Sequence, residues 1–409
     1  MLPAFSIVGL LLAAGETMGW TASWQTLARG RTEPAADESA ALGELELGAQ
    51  LGLSAHGAWG TATLTYSPRL LLHEVVSGSP AEAGNATRQG GRLELEARLG
   101  PTTRLTSRSL VEWGLTDFSP LSSAGVAGAP ADPGTVGTPA GIARLPSQRF
   151  VHTLQLESTL GVTHRFSRRL QVSLAAGAVR SGGIGHDGVQ AVPIQVGPQA
   201  RAALAFITDP SGSNFVLSAT TSQSRFSTGR DSLLSNLQAG WALRSSREML
   251  LDAAAGAGWV RSYGEGGATQ AMYPAAGLGA TWEPALARQR ALHLSLRFNL
   301  VPGVDRFTAL ATETLRVDQA VELSDSRLRV GLVAWEVRAV SGVSPAGEVR
   351  WSLSGGAEEL HVLARSSWAA AEEWSIQGEL GAAWTNQVPF AGWQGLASVG
   401  LRWTGMGWF

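Results

Sequence analysis

The sequence predicts an all-β fold, a closed antiparallel up-and-down β-barrel that crosses a membrane, and three observations lead to this prediction. Segments of alternating apolar and polar residues recur along the chain. The turn signals between them form a short class and a long, Gly/Pro-rich class. The composition is 44% hydrophobic with a mean hydropathy of +0.05, which suits strands with one apolar face and is too polar for a bundle of membrane helices.

The N-terminal residues 1–19 are predicted to be a signal peptide. The run MLPAFSIVGLLLAA has the length of a signal-peptide apolar region and is followed by small residues. Cleavage is expected between Ala14 and Ala22, and the alternative is an ordinary buried strand or helix. We therefore expect residues 20–409 to form a single transmembrane barrel, with its first strand near residues 20–28.

The alternation that predicts strands is clearest in four segments of the barrel region. They read LELGAQLGL from Leu45, RLELEARL from Arg92, LHLSLRFNL from Leu292 and SIQGEL from Ser375. A period of two residues places one set of side chains on each face of a strand. A helix packed in a protein core does not have this period.

Turn signals predict the strand number. Short turns are expected near residues 55–57, 100–103, 167–169, 209–213, 245–248, 285–289, 324–326 and 371–373. Longer links are expected at residues 31–43, 75–90, 117–147, 181–190, 262–267 and 342–356. With both chain ends on the side of the short turns, this pattern gives roughly 18 strands, with roughly 16 as the alternative.

Tryptophan spacing predicts two aromatic girdles. Trp374 and Trp384 are ten residues apart on one strand face, and so are Trp393 and Trp403. Ten tilted strand residues span about 25 Å, which is the height of the apolar band of an outer-membrane barrel. The alternative is that aromatic residues are common in strands for other reasons.

The inward face of such a barrel is predicted to carry any function, because roughly 18 strands enclose more space than side chains can fill. The candidate lumen residues are Arg92, Glu94, Glu96, Arg98, Arg104, Arg108, Glu112, Glu157, Arg297, Glu379 and Arg402. They form either cross-strand ion pairs that stabilise the sheet or a polar track for a hydrophilic solute. Charges of both signs disfavour a strongly ion-selective pore.

The loop at residues 117–147 is the longest irregular segment and is nearly uncharged. It is expected either to fold over the mouth as a constriction or to be a disordered external loop.

Several classes of function are disfavoured by the sequence. A net charge of −2 gives no reason to expect a nucleic-acid partner, and the absence of Cys excludes disulfides and an acylated Cys anchor. His186 and Asp187 are adjacent, so on a strand they point to opposite faces and cannot form a catalytic pair unless they lie in a turn. No nucleophile elbow, HExxH motif or metal-ligand spacing occurs, and His293 and His361 are expected to face the lumen. We therefore predict neither an enzyme nor a bound cofactor.

The C-terminal strand ends in GLRWTGMGWF, and Phe409 resembles the terminal assembly signal of bacterial outer-membrane barrels. That resemblance implies the outer membrane as location and outer-membrane lipid and the barrel assembly machinery as partners. Gly405 and Gly407 depart from it, because bulky apolar residues usually stand at these positions.

The segments ATLTYSPRLLL and GRLELEARLG, together with the strand count and the Gly/Arg/Trp-rich style, resemble the barrels of Wzx/Wzy-type exopolysaccharide export. This resemblance covers the whole mature chain. It implies export of exopolysaccharide across the outer membrane beside a periplasmic polysaccharide export protein. The alternatives are a general diffusion porin, a structural or adhesive closed barrel, and a secreted soluble β-protein.

Overall fold

The computed structural model describes residues 15–33, 40–77, 86–118, 150–209, 213–264, 267–287, 290–325, 328–340, 342–343, 349–350, 357–386 and 391–408. Eighteen antiparallel strands form a closed barrel. The wall strands are β1 (Gly15–Glu33), β2 (Ala40–Gly57), β3 (Gly60–Ser77), β4 (Ala86–Arg98), β5 (Thr103–Asp117), β6 (Phe150–Arg165), β7 (Leu170–Gly183), β8 (Gln195–Ile207), β9 (Asn214–Phe226), β10 (Asp231–Arg244), β11 (Met249–Gly264), β12 (Gly267–Trp282), β14 (Arg290–Val304), β15 (Ala311–Ser324), β16 (Leu328–Val340), β19 (Ala357–Ala369), β20 (Trp374–Thr385) and β21 (Gly392–Trp408).

Three short strands and one helix complete the described structure. Strand β13 (Ala285–Ala287) pairs with β14, and β17 (Gly342–Val343) pairs with β18 (Val349–Arg350). Helix α1 (Gly185–Ala191) lies between β7 and β8. No helix in the described ranges is long and apolar enough to cross a membrane.

The barrel closes where β1 pairs with β2 on one side and with β21 on the other. Each wall strand pairs with its neighbours in the chain order, so the topology is up-and-down throughout. Closure removes the free sheet edges that would leave backbone groups unpaired in lipid. The predicted fold class and strand number are therefore confirmed.

The two rims of the barrel differ as the sequence predicts. One rim, here called the short-turn rim, carries the connections at residues 58–59, 99–102, 166–169, 208–213, 245–248, 325–327 and 370–373 and the β12–β14 link. The long-loop rim carries the other connections. The sequence missed three links at that rim, at residues 227–230, 305–310 and 386–391, because none of them is long or rich in Gly and Pro.

Strand β1 is longer than the predicted first strand. It begins at Gly15, inside the range predicted as signal peptide, and its pairing with β21 starts at Gly19. Residues 1–14 lie outside the described residues, as do most of the 117–147 loop and Phe409. The signal peptide, the loop constriction and the terminal signal therefore stay predictions.

The outer face carries the large apolar side chains. Leu45, Leu51 and Leu53 on β2 are exposed, and Leu160, Leu174, Leu217 and Leu237 continue this surface around the barrel. A lipid-facing surface needs such side chains, since there is no water to solvate polar groups. Successive side chains of a strand point to opposite faces, so the assignment of the outer face also identifies the residues of the inner face.

The four predicted girdle tryptophans form two cross-strand pairs. Trp374 stands opposite Trp403 near the short-turn rim, and Trp384 stands opposite Trp393 near the long-loop rim. Trp24 of β1 packs against the pair near the short-turn rim, with its ring centroid 5.4 Å from that of Trp374. The indole N–H of Trp403 donates to a Glu373 carboxylate oxygen at 2.8 Å, as expected for an amphipathic ring at a membrane interface.

Gly405 and Gly407 have a packing reason. A Cβ on Gly405 would meet the ring of Trp403 at 2.6 Å, and a Cβ on Gly407 would meet the ring of Trp20 at 2.5 Å. Two indoles thus cover the backbone of the last strand where other barrels place bulky residues. The apolar surface is supplied by neighbouring side chains instead.

Candidate functional site

The lumen is the candidate site, and the eleven predicted lumen residues share its face. The register places Glu94 opposite Arg108, Arg98 opposite Arg104, and Glu379 opposite Arg365. The whole set lies on the face opposite the large apolar side chains: Arg92, Glu94, Glu96, Arg98, Arg104, Arg108, Glu112, Glu157, Arg297, Glu379 and Arg402. Their role as a path for a solute stays a proposal.

The inner faces of β1–β5, here called the charged wall, hold most of these side chains as ion pairs. Glu94 lies between Arg92 and Arg108, the latter at 3.8 Å. Arg104 lies 3.4 Å from Glu96, and its side chain is 57% exposed. Half-exposed pairs of this kind stabilise a sheet only slightly, because water screens them.

At the long-loop rim, the charged wall contains a buried charge cluster that the sequence analysis does not identify. Arg31 of β1 lies 2.9 Å from Asp117 at the end of β5 and 3.8 Å from Glu44 of β2. His73 of β3 lies 3.6 Å from the same Glu44, and its ring centroid is 4.5 Å from that of Phe150. The side chains of Arg31, Glu44 and His73 are at most 3% exposed. These contacts tie five strands together at the mouth.

The alternation in β1 and β2 was the available signal for this cluster. It places Arg31 and Glu44 on inner positions, but it cannot show that Asp117 comes within contact distance of β1. That contact depends on the position of the end of β5 relative to β1, two strands that are not neighbours in the sheet.

The inner faces of β7–β12, here called the neutral wall, are lined mainly by Gly, Ala, Ser, Thr, Asn and Gln. Arg201, Arg244 and Asp252 are the charged residues that the register places on the described part of this wall. A belt of small polar side chains crosses the wall at one level and joins Ser181, Gln195, Ser224, Ser232 and Ser262. Within it, the Gln195 side-chain amide donates to Ser224 Oγ at 2.7 Å.

A hairpin tip folds into the lumen against the neutral wall. Strands β12 and β14 pair only from Ala276 and Leu300 to Trp282 and Leu294. Beyond that point β14 continues to pair with β15 but leaves β12. Residues 301–314, here called the inward tip, turn inside the barrel.

The inward tip is seated on an apolar cluster. Val304, Ala309 and Ala311 of the tip pack with Phe226, Val260 and Tyr273 of the neutral wall, and all six are at most 5% exposed. A Cβ on Gly258 would come within 2.2 Å of the Pro302 side chain, so only glycine allows the tip this close to β11. Ala309 has a φ of 54°, a conformation that residues with side chains rarely adopt.

Polar bonds hold the turn at the end of the tip. The Asp305 carboxylate accepts from the Thr308 backbone N–H at 3.2 Å and from the Thr308 hydroxyl at 2.6 Å. Arg230 donates to the Thr308 carbonyl at 2.8 Å, and the Ser262 hydroxyl donates to the Ala309 carbonyl. At the end of the belt on β7, Arg306 Nη2 donates to Ser181 Oγ at 2.8 Å. The tip therefore narrows the lumen at the long-loop rim.

A second segment packs into the same mouth. Ala191, the last residue of helix α1, and Val192, which follows it, are buried against Val151 of β6. The Ile184 N–H donates to the His152 carbonyl at 2.7 Å, which fixes the segment to the wall. The 117–147 loop, which the sequence offers as a constriction or as a disordered external loop, lies mostly outside the described residues. Within the described residues, the β7–β8 and β14–β15 connections are the segments that pack into the mouth.

His186 and His293 each contact one polar side chain in the described structure. His186 lies on α1, where its ring contacts the Gln190 amide at 3.0 Å. His293 contacts Glu283 at 2.8 Å, and nothing is described for the side chain of His361. Among the described residues, no three His, Asp or Glu side chains are grouped as metal ligands.

Comparison with known proteins gives the family. The EpsX exopolysaccharide export family matches residues 11–406. The chain belongs to this family. It is an outer-membrane β-barrel, as predicted from the sequence and from the resemblance to export barrels. No curated protein matches the chain.

Solved structures similar to this EpsX-family barrel are distant in sequence. The crystal structure of Acinetobacter baumannii OccAB4 is 10% identical with a TM-score of 0.45, and covers 96% of this chain and 99% of its own. Pseudomonas aeruginosa OpdK with vanillate is 12% identical with a TM-score of 0.46, covering 95% and 99%. The FrpB iron transporter from Neisseria meningitidis is 8% identical with a TM-score of 0.47, covering 92% and 63%.

Proposed function

We propose that this barrel carries exopolysaccharide across the outer membrane through its lumen. The observation that carries the proposal is the family match over nearly the whole chain. The geometry is compatible with it, because eighteen strands enclose a lumen wide enough to leave Arg92, Arg104 and Arg108 about half exposed. Saccharide hydroxyls can exchange hydrogen bonds with the Ser, Thr, Asn and Gln side chains of the neutral wall.

A deletion strain tests the proposal. We expect the strain to lose surface exopolysaccharide and to accumulate polymer in the periplasm, and the wild-type gene supplied on a plasmid to restore display. Total polysaccharide is measured in both strains, because loss of display indicates an export defect only if synthesis is equal. A deletion strain that displays all its polysaccharide would refute export through this barrel.

The partners form a second part of the proposal. Three consecutive turns of the short-turn rim present exposed apolar side chains, Trp59, Leu99 and Phe166. We place a periplasmic polysaccharide export protein at this rim, which faces the periplasm in barrels of this type. Photo-crosslinking from position 59 is expected to capture that protein, whereas crosslinking from Met272 on the outer face is the control. Capture from neither position, or equally from both, would contradict the placement.

A diffusion channel for small hydrophilic solutes is the second candidate function. The observation that favours it is the inward tip, which narrows the mouth. Liposomes that contain the purified barrel should then swell rapidly in a monosaccharide and slowly in a pentasaccharide. Such a result, together with normal polysaccharide display by the deletion strain, would replace the export proposal.

A further inference from the structure

The inward tip carries a buried cation with no carboxylate partner in the described structure. Arg306 is 7% exposed, and its Nη2 donates to the neutral hydroxyl of Ser181 at 2.8 Å. Its Nε has no hydrogen-bond partner among the described residues. Burial lowers the pKa of Arg306 to about 10, so the guanidinium is still charged at neutral pH.

Other arginines of the lumen are arranged differently. Arg29 lies 2.8 Å from Glu46, Arg88 contacts Glu112 at 2.5 Å, and Arg365 lies 3.6 Å from Glu379. These side chains are more exposed than Arg306, yet each has a carboxylate. A buried charge is costly unless it is paired. Even the deeply buried Arg31 contacts the carboxylates of Asp117 and Glu44. For the buried Arg306, by contrast, the described structure provides no anion.

The surroundings of Arg306 add hydrogen-bonding capacity. Gln195 stands directly opposite Ser181 in the register, and its side-chain oxygen has no partner in the described structure. Ser232, further along the same polar belt, has an unpartnered hydroxyl. Both side chains are at most 3% exposed. Arg306 bonds to Ser181, Gln195 faces Ser181 across the two strands, and Ser232 lies further along the belt. A guanidinium with an amide oxygen near it matches an oxyanion that carries neighbouring hydroxyl groups.

We propose that Arg306 and the polar belt form an oxyanion site at the narrow mouth, which binds the carboxylates of acidic sugar residues as the polymer passes the inward tip. This inference rests on the proposed export function for its cargo. The guanidinium binds the carboxylate by paired N–H donors, and Gln195 accepts from a sugar hydroxyl. The charged wall lacks this capacity where its arginines are already paired with carboxylates.

Equilibrium binding to the wild-type barrel is the first test. The folded barrel in detergent is titrated in a calorimeter with pentagalacturonate and, separately, with the uncharged maltopentaose. Pentagalacturonate is expected to bind roughly ten- to a hundredfold more tightly, and its affinity is expected to fall with added salt. Equal affinities for the two probes would overturn the proposal.

Variants locate the site. Arg306→Gln is expected to reduce pentagalacturonate affinity about tenfold or more, while maltopentaose binding is unchanged. Arg225→Gln is the matched control, because it removes the same charge from an exposed outer-face side chain near the same rim. An equal loss in both variants, or no loss in Arg306→Gln, would refute the assignment. Heat-modifiable gel migration checks folding, and Arg306→Lys, which keeps the charge, should retain binding better than Arg306→Gln.

The deletion strain tests the export function and the binding titrations test the oxyanion site, so each proposal can be refuted independently of the other. If the deletion strain displays its polysaccharide but Arg306→Gln loses pentagalacturonate binding, the site exists and the cargo is a different acidic solute. If display is lost on deletion and pentagalacturonate binds no better than maltopentaose, export stands and the site is refuted.

Discussion

The charged wall and the neutral wall of the lumen differ in what their side chains contact. On the charged wall, long Arg and Glu side chains contact one another across neighbouring strands. The buried cluster around Arg31 lies at the end of this wall near the long-loop rim. On the neutral wall, small side chains leave room for a hairpin, and Val260 and Tyr273 form the seat on which the inward tip packs.

The difference shows that a wide barrel can narrow its lumen on one side only. Small residues on β7–β12 allow close approach of the inward tip, as Gly258 does for Pro302. Long paired side chains on β1–β5 fill their own space and stay partly hydrated. In the described structure, apolar packing therefore shapes the neutral wall, whereas ion pairs shape the charged wall.

Breaking the buried cluster should have the largest effect. Arg31→Met removes the cation from between Glu44 and Asp117 and is expected to destabilise the barrel by about 3–5 kcal/mol, the range for breaking a buried ion pair. Urea unfolding in lipid vesicles, followed by tryptophan fluorescence, measures the change. A loss below about 1 kcal/mol would mean that the cluster behaves like the exposed pairs.

Loosening the seat on the neutral wall comes next. Val260→Ala removes two methyl groups from the cluster under the inward tip and should cost roughly 2 kcal/mol. Single-channel conductance should rise at the same time, because the tip is held less firmly. Val399→Ala, on the exposed outer face, is the control and should leave conductance unchanged; an unchanged conductance in Val260→Ala would contradict our assignment of the tip as the constriction.

A methyl group at the closest approach of the tip tests the neutral wall from the opposite direction. Gly258→Ala places a Cβ against the Pro302 side chain and is expected to cost about 1 kcal/mol, the low end for overpacking, because the tip can shift. Gly91→Ala on β4 is the control, since its Cβ would meet nothing within 4 Å. The two variants are compared by thermal unfolding in detergent, and equal midpoints would show that the tip does not press on β11.

The exposed pairs of the charged wall should give the smallest effect. Arg104→Met removes the partner of Glu96 and is expected to change stability by less than about 1 kcal/mol, because both side chains are partly hydrated. The effect should shrink further in high salt. This variant is the matched counterpart of Arg31→Met in the same urea assay, and a loss as large as that of Arg31→Met would remove the distinction between buried and exposed pairs.

Much of the barrel follows from local sequence. Alternation in segments such as LHLSLRFNL gives both the strand and the identity of its inner face, because the side-chain period of a strand is two. The turn signals predicted roughly 18 strands, and the tryptophan spacing predicted that Trp374 and Trp384 share one strand face and that Trp393 and Trp403 share another. The register of β20 and β21 then sets these side chains opposite each other. Each of these features depends on residues close together in the chain.

The sequence by itself determined a closed barrel of eighteen strands, its outer apolar face and the charged residues of its inner face, since period and turn length are local properties. The tertiary structure decided which connection enters the lumen. Residues 301–314 look like any other strand end, and they become an inward tip only because Gly258, Val260 and Ser181 on distant strands offer space, an apolar seat and a hydroxyl for Arg306. Such complementarity between strands far apart in the chain has no local signature.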